Sequence, residues 1–183
     1  MNTIQDADGL LIRALHFASE KHVHQRRKGE DRIPYINHPI AVTEILWTVG
    51  EVREPVILAA ALLHDTIEDT ETSPEELKSH FGEAVLRLVL EMTDDKSLPK
   101  QQRKQLQVDH ACELSHDARL IKLADKAHNV QSLMDCLWSD ERKRSYMLWA
   151  REVVEGLRGT HDGLEQHFDI ICDKIKKAQG LGE

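Results

Sequence analysis

An unbroken apolar segment, Val56 to Leu63, is the feature that most constrains how this chain can fold. Pro55 precedes it, and proline is favoured in the first turn of a helix because its missing N–H would have no helical partner there. A helix that is apolar on every side is buried among other helices. The segment has eight residues, well short of the roughly 20 that a membrane span needs, so we expect no membrane association. It predicts the central helix of a bundle.

The other periodic segments are helical too. Apolar residues recur at three- and four-residue spacing from Leu10 to Ala18, and N-cap patterns at Ser115 and Ser139 divide a long segment that lacks glycine and proline. Glycine and proline are scarce in the whole chain, at 9 and 5 of 183 residues, which disfavours a turn-rich β-sandwich. No segment is a convincing strand. We predict one all-α domain over residues 1–183, with roughly eight to ten helices and a C-terminal helix over about 160–178.

The charge and cysteine content of the chain indicate which cellular compartment and which partners to expect. The chain has 24 basic and 32 acidic residues, a net charge of −8, which argues against a protein that coats nucleic acid by neutralising phosphates. Its three cysteines are scattered and form neither a disulfide framework nor a CxxC motif. The first ten residues lack the basic start and apolar stretch of a signal peptide. These observations predict a cytoplasmic protein and leave its oligomeric state open, with a homo-oligomer as one alternative.

The segment directly after the apolar run, His64-Asp65-Thr66-Ile67-Glu68-Asp69, is the strongest indication of chemistry. If the central helix continues through it, His64, Asp65, Glu68 and Asp69 lie within an arc of about 140° on one face. Three carboxylates at a helix C-terminus are unfavourable, by roughly 0.3–1 kcal/mol each from the helix dipole, before repulsion and burial are added. A bound cation would remove this cost. A solvated acidic helix end is the alternative interpretation.

Two residues distant in sequence complete a candidate cation site. His38 precedes a helix start at Pro39, where its side chain can turn inward, with a capping or core histidine as the alternative. Asp125 lies in an apolar helical segment with Asn129 on the same face, and a salt bridge to a lysine is the alternative there. Two imidazoles and two carboxylates suit a divalent transition ion such as Mn²⁺ or Fe²⁺. No cysteine joins the set, which argues against structural zinc.

These motifs, in this order, resemble the HD-domain phosphohydrolase superfamily. The segments PYINHP, ALLHDTIEDT, TDDKSLPK and IKLADKAHN are similar in particular to the small alarmone hydrolases, the metazoan SpoT homologs. The basic stretch His24 to Lys28 and the FG of His80-Phe81-Gly82 match as well, and the resemblance covers about residues 10–159. It implies an HD-type helical bundle and a hydrolase that removes the 3′-pyrophosphate of (p)ppGpp to give GDP or GTP.

The resemblance also implies a role for each matching residue. The ligands of a Mn²⁺ ion, with Fe²⁺ or Zn²⁺ as alternatives, would be His38, His64, Asp65 and Asp125. The pair that orients and deprotonates the attacking water would be Glu68 and Asp69. The positions where the family contacts nucleotide or phosphate are Arg27, Lys28, Lys100, Asn129, Arg142 and Tyr146. One departure falls at Ala127 and His128, where short family members often have a larger apolar and an aromatic residue.

The residues suit this chemistry on physical grounds as well, since a bound metal lowers the pKa of its water and Glu68 can serve as the base. Tyr35 and Tyr146 are candidates to stack on the nucleotide or bond to it, with core packing as the alternative. The basic residues predicted to face an anionic substrate are Arg27, Lys28 and Lys100, and those interpreted as solvated helix ends are Arg26, Arg103 and Lys104. Two other functions stay open: hydrolysis of another phosphorylated nucleotide, such as NADPH or a deoxynucleoside monophosphate, and non-catalytic nucleotide sensing.

Overall fold

A computed structural model of the chain describes residues 3–27 and 33–178, and these ranges are built from nine α-helices. The helices are α1 (Thr3–Lys21), α2 (Asn37–Thr48), α3 (Pro55–Leu63), α4 (Thr66–Asp69), α5 (Pro74–Met92), α6 (Lys100–Asp109), α7 (His116–Gln131), α8 (Asp140–Glu155) and α9 (Asp162–Ala178). The described ranges contain no strand, only an isolated bridge between Arg26 and Pro34. The predicted all-α fold is confirmed. In the same ranges no helix has both the length and the apolar character needed to cross a membrane.

Helix α3 lies at the centre of the bundle, as its sequence predicts. Every residue from Ile57 to Leu63 is buried, and α3 packs against α1, α2, α5 and α7. The three consecutive alanines, Ala59 to Ala61, let the neighbouring helices approach closely on all sides, and all three are inaccessible to solvent. Because four helices hold α3, the residues that follow its last turn have a fixed position in the molecule.

The central helix ends at Leu63, so the prediction of a single helix running through Asp69 is wrong. Side-chain donors explain the break. The Nδ1 of His64 bonds to the carbonyl oxygen of Ala61 at 2.7 Å, and Thr66 Oγ1 donates to the carbonyl oxygen of Leu63 at 2.7 Å. These bonds compete for carbonyls that a continuing helix would use. The last two acids of the motif therefore lie on the separate short helix α4.

Helix α7 is anchored at its N-terminus by the cap that the sequence predicts. Ser115 Oγ accepts a hydrogen bond from the backbone N–H of Ala118 at 3.3 Å. Glu91 of α5 in turn accepts from the backbone N–H of Ser115 at 2.7 Å and from its hydroxyl at 3.1 Å. These bonds fix α7 to α5, and α7 also packs against α2 and α3. Residues on the inner face of α7 are thereby held beside the end of the central helix.

Candidate active site

Four side chains converge beside the C-terminal end of α3. His38 comes from α2, His64 and Asp65 from the turn after α3, and Asp125 from α7. The Nε2 of His38 lies 3.6 Å from Asp65 Oδ2 and 3.2 Å from Asp125 Oδ1. The Nε2 of His64 lies 3.1 Å and 3.8 Å from the same two oxygens. The structure therefore brings together the four residues that the sequence analysis groups as metal ligands, and three of them (His38, His64 and Asp65) have ligand atoms within 4.8 Å of one another.

The hydrogen bond made by His64 decides which of its ring nitrogens faces this cluster. Its Nδ1 lies 2.7 Å from the carbonyl oxygen of Ala61, which can only accept, so Nδ1 carries the hydrogen. The Nε2 atom is buried and has no hydrogen-bond partner, although Asp65 is close. A lone pair aimed at carboxylates is unfavourable unless a cation lies between them. This unpartnered nitrogen and the surrounding donor set fit a divalent metal ion.

The charges of the cluster are strongly coupled. Burial alone would lower the pKa of His64, but the carboxylates of Asp65 and Asp125 outweigh it and raise that pKa to about 9. Burial would raise the pKa of Asp65, and the imidazole of His64 reverses the effect and holds the pKa below its usual value. The pKa of Asp125 is also held well below its usual range, because Lys126 and His38 outweigh burial. A proton and a metal ion therefore compete for His64.

Three residues predicted to contact substrate also orient the carboxylates of the cluster. The hydroxyl of Tyr35 donates to Asp65 Oδ2 at 2.6 Å. The amide of Asn129 donates to Asp125 Oδ1 at 2.6 Å, and Arg27 donates to the Asn129 side-chain oxygen at 3.0 Å. Such bonds fix the direction in which each carboxylate presents its oxygens. Lys28, which was predicted to contact the same substrate, lies outside the described residues.

Helix α4 places a second pair of carboxylates beside the cluster. Glu68 Oε2 accepts a hydrogen bond from the backbone N–H of Asp94 at 3.0 Å. Asp69 accepts from Gln25 Nε2 at 3.1 Å and from Lys96 Nζ at 2.5 Å. Burial raises the pKa of Glu68, and the bond from Asp94 opposes this effect without cancelling it. Glu68 thus has the properties of a general base, with Asp69 held rigidly beside it.

Both groups of acids line one cavity of about 720 Å³, together with basic and aromatic side chains. The basic residues of its wall are Lys96, Lys100, Arg103, Lys104, Lys122, Lys126 and Arg142. Its aromatic residues include Tyr146, whose ring meets the rings of Trp138 and Trp149 edge to face at 5.8 Å and 5.2 Å. A second cavity of about 380 Å³ adjoins the first and is bordered by Arg27. The whole site can therefore hold a cation at the acids and an anion at the basic side chains.

The structure corrects the interpretation of two basic residues. Lys100, Arg142 and Tyr146 line the cavity, where the family resemblance places them, but so do Arg103 and Lys104, which were interpreted as solvated helix ends. Arg103 Nη1 lies 3.8 Å from Glu68 Oε1, and Lys104 Nζ lies 4.4 Å from the centre of a tryptophan ring. Their spacing of three and four residues from Lys100 puts all three on one face of α6. That periodicity is the signal that could have identified them.

His128 is the residue nearest to the cluster that the sequence analysis did not assign. Its ring lies beside the ring of His38, with centroids 4.9 Å apart and an angle of 30° between the planes. The Nδ1 atoms of the two rings are 2.7 Å apart. The two residues are separated by 90 positions in the chain, so no local pattern indicates the contact.

Comparison with known proteins agrees with the fold. A family model described as the HD domain matches residues 14–155, and the chain belongs to the HD domain family. A guanosine-3′,5′-bis(diphosphate) 3′-pyrophosphohydrolase MESH1 from Xenopus tropicalis is 50% identical over 163 residues, covering 87% of this chain and 91% of that protein. The MESH1 of Homo sapiens is 50% identical over 159 residues, covering 85% and 89%. A solved structure described as a metazoan ortholog of SpoT that hydrolyzes ppGpp has a TM-score of 0.86 and 43% identity, covering 94% of this chain and 97% of that chain.

We expect the affinity of this site for a divalent ion to rise with pH. Below the His64 pKa of about 9, the metal-free site binds a proton that the ion must displace, so the association constant should rise by about tenfold per pH unit and level off above that pKa. Calorimetric titration with Mn²⁺ at several pH values measures this slope. The control is a variant with the exposed His16 replaced by glutamine, which should show the same dependence of Mn²⁺ affinity on pH. An affinity that does not change with pH would contradict the prediction.

Proposed function

We propose that this protein is a metal-dependent hydrolase that removes the 3′-pyrophosphate of (p)ppGpp and leaves GDP or GTP. The observation that carries the proposal is the placement of Glu68 and Asp69 in one cavity, next to the His/Asp cluster and together with lysine and arginine side chains. A nucleotide with phosphate groups at both its 3′ and 5′ positions needs positive charge at two separate places. The proposed metal ion supplies one, and the lysine and arginine side chains supply the other. The names of the MESH1 relatives, at 50% identity, support the same activity.

We assign the metal to His38, His64, Asp65 and Asp125. Mn²⁺ is the proposed ion, because two imidazoles and two carboxylates suit an ion of intermediate hardness, and Fe²⁺ or Zn²⁺ are the alternatives. When bound, such an ion lowers the pKa of a water ligand and polarises a phosphoryl oxygen. The ligand imidazoles and carboxylates are already oriented by Ala61, Tyr35 and Asn129, so little rearrangement is needed to hold the ion.

Glu68 takes the proton from the attacking water. Asp94 holds one of its oxygens, Oε2, and the other, Oε1, lies 3.5 Å from Lys96 Nζ. Asp69 is held on both sides, by Gln25 and by Lys96, and can keep the water in line with the phosphorus. A bond forms between the water oxygen and the 3′ phosphorus, and the bond from that phosphorus to ribose O3′ breaks. The O3′ atom takes up a proton, in balance with the one that Glu68 removes, so that GDP or GTP with a free 3′-hydroxyl and pyrophosphate are released.

The basic and aromatic wall binds the rest of the nucleotide. Lys100 and Arg142 supply positive charge for its phosphates, and burial raises the pKa of Tyr146 to about 12, so its hydroxyl stays protonated and can donate to an anion. Arg27 and Asn129 border the adjoining cavity, which has room for the nucleoside. The substrate is thus a small molecule and not a nucleic acid, and the scattered cysteines favour a cytoplasmic location.

Separate measurement of pyrophosphate and phosphate tests the substrate. The Mn²⁺-loaded protein is incubated with ppGpp, pppGpp, NADPH and a deoxynucleoside monophosphate, with and without excess chelator. We expect pyrophosphate in equal amount to GDP or GTP, and none with chelator present. Release of phosphate from NADPH or from the monophosphate, without pyrophosphate from ppGpp, would assign the site to another nucleotide. No turnover of any of them, with binding retained, would indicate a sensing module.

Replacing Glu68 by glutamine should reduce turnover of ppGpp by about 10²–10⁴-fold, the usual contribution of a general base. The affinity for Mn²⁺ should stay near that of the unmodified protein, because Glu68 is not among the proposed ligands. The control is Glu71→Gln, an exposed acid just beyond α4, which should leave both quantities unchanged. Unchanged turnover in Glu68→Gln would remove the base from the mechanism.

Replacing Arg142 by alanine should raise KM for ppGpp by about tenfold or more and change kcat little, since a hydrogen bond between charged groups is worth roughly 1.5–3 kcal/mol. The difference should shrink at high salt, which screens an exposed charge. Arg144→Ala is the matched control, because Arg144 is exposed on the same helix and is not part of the cavity wall. A fall in kcat at constant KM would place Arg142 at the reacting phosphate instead.

A further inference from the structure

His38 uses its two ring nitrogens for two different neighbours. Nε2 faces the carboxylates of the cluster, 3.2 Å from Asp125 Oδ1, and Nδ1 lies 2.7 Å from Nδ1 of His128. His38 is 1% exposed, so both contacts are shielded from bulk solvent. The rings of His38 and His128 meet edge to edge, because centroids 4.9 Å apart leave only the two Nδ1 edges in contact. The second ring nitrogen of this proposed ligand is therefore supported by another histidine.

The two Nδ1 atoms can share only one hydrogen. A metal ion bound at Nε2 of His38 uses the lone pair of that nitrogen, so the ring hydrogen of His38 must be on Nδ1. His128 must then accept at its own Nδ1 and carry its hydrogen on Nε2. His64 must also carry its hydrogen on Nδ1 if its Nε2 is to bind a metal. Its partner is the carbonyl oxygen of Ala61, which can only accept, so this tautomer is fixed whether or not a metal is bound. An imidazole is able to donate or accept, so it imposes no tautomer on His38 until the metal is bound.

We propose that His128 is a positioning residue, which accepts the Nδ1 hydrogen of His38 and so holds that ring in the tautomer and orientation that bind the metal. The inference rests on the metal site of the proposed function and not on the identity of the substrate. Two contributions of His128 are separable by substitution. One is the acceptor nitrogen, and the other is the neighbouring ring, which would stabilise His38 by packing alone.

Two substitutions at this position distinguish the contributions. His128→Phe keeps a ring beside His38 and removes the acceptor. His128→Asn removes the ring and places an amide oxygen near the position of Nδ1. Loss of a partner that orients a metal ligand typically weakens metal binding by about 10–100-fold. We expect that loss of Mn²⁺ affinity in His128→Phe, measured by calorimetry, and recovery of most of it in His128→Asn. The control is His116→Phe, an exposed histidine on the same helix, which should bind as the unmodified protein does.

Spectroscopy on the unmodified protein gives a test that does not depend on a variant folding. Long-range ¹⁵N–¹H spectra of ¹⁵N-histidine-labelled protein loaded with Zn²⁺, which is diamagnetic, report which nitrogen of each ring is protonated. We expect the hydrogen on Nδ1 of His38 and on Nε2 of His128. A hydrogen on Nδ1 of His128 would overturn the proposal. So would unchanged Mn²⁺ affinity in His128→Phe, which would indicate packing only, or equal losses in the Phe and Asn variants, which would show that an acceptor oxygen alone does not support His38. None of these measurements uses ppGpp, so they succeed or fail independently of the substrate assignment.

Discussion

Two imidazoles and two carboxylates buried in contact with one another at the end of an apolar helix are stable only with added positive charge. Each carboxylate has lost water on folding, and the lone pair of His64 Nε2 points toward them. Lys126 supplies part of that charge, with its Nζ 3.2 Å from Asp125 Oδ2. The rest can come from a proton on His64 or from a metal ion, and only the metal satisfies both imidazoles at once. The arrangement of the helices holds this cluster together. The apolar α3 excludes water from one side, and α2 and α7 each contribute one of its residues.

The local arrangement of charge matters more here than the total. The chain has a net charge of −8, yet seven lysine and arginine side chains line its main cavity. Such a local concentration of positive charge attracts a polyanion to a cavity that also contains carboxylates. Lys96 lies 2.5 Å from Asp69 and 3.5 Å from Glu68, and reduces the repulsion between these acids and a phosphate. An acidic protein can in this way bind an acidic substrate.

The parts of the site that depend on local spacing could be predicted from the sequence, and those that depend on distant contacts could not. Asp125 and Asn129 share a helix face at a separation of four residues, and the structure joins them directly. The end of α3 at Leu63 was not predicted, because it depends on hydrogen bonds from the side chains of His64 and Thr66 to backbone carbonyls. Lys96 and Asp69 are separated by 27 residues, and His38 and His128 by 90. No periodicity relates such pairs, and only the packing of the helices brings them together.

The two proposed imidazole ligands are supported by different kinds of group, which has a consequence for sequence variation. The acceptor for His64 is a backbone carbonyl, at Ala61, so substitution there does not remove the bond unless it disturbs α3. The proposed acceptor for His38 is a side chain, so its support can be lost or altered by one substitution that leaves all four ligands in place. The family resemblance of the sequence implies a departure at Ala127 and His128, which is this position. A change there alters the support of a ligand and not the ligand itself, so metal affinity can differ between proteins whose metal-binding residues are identical.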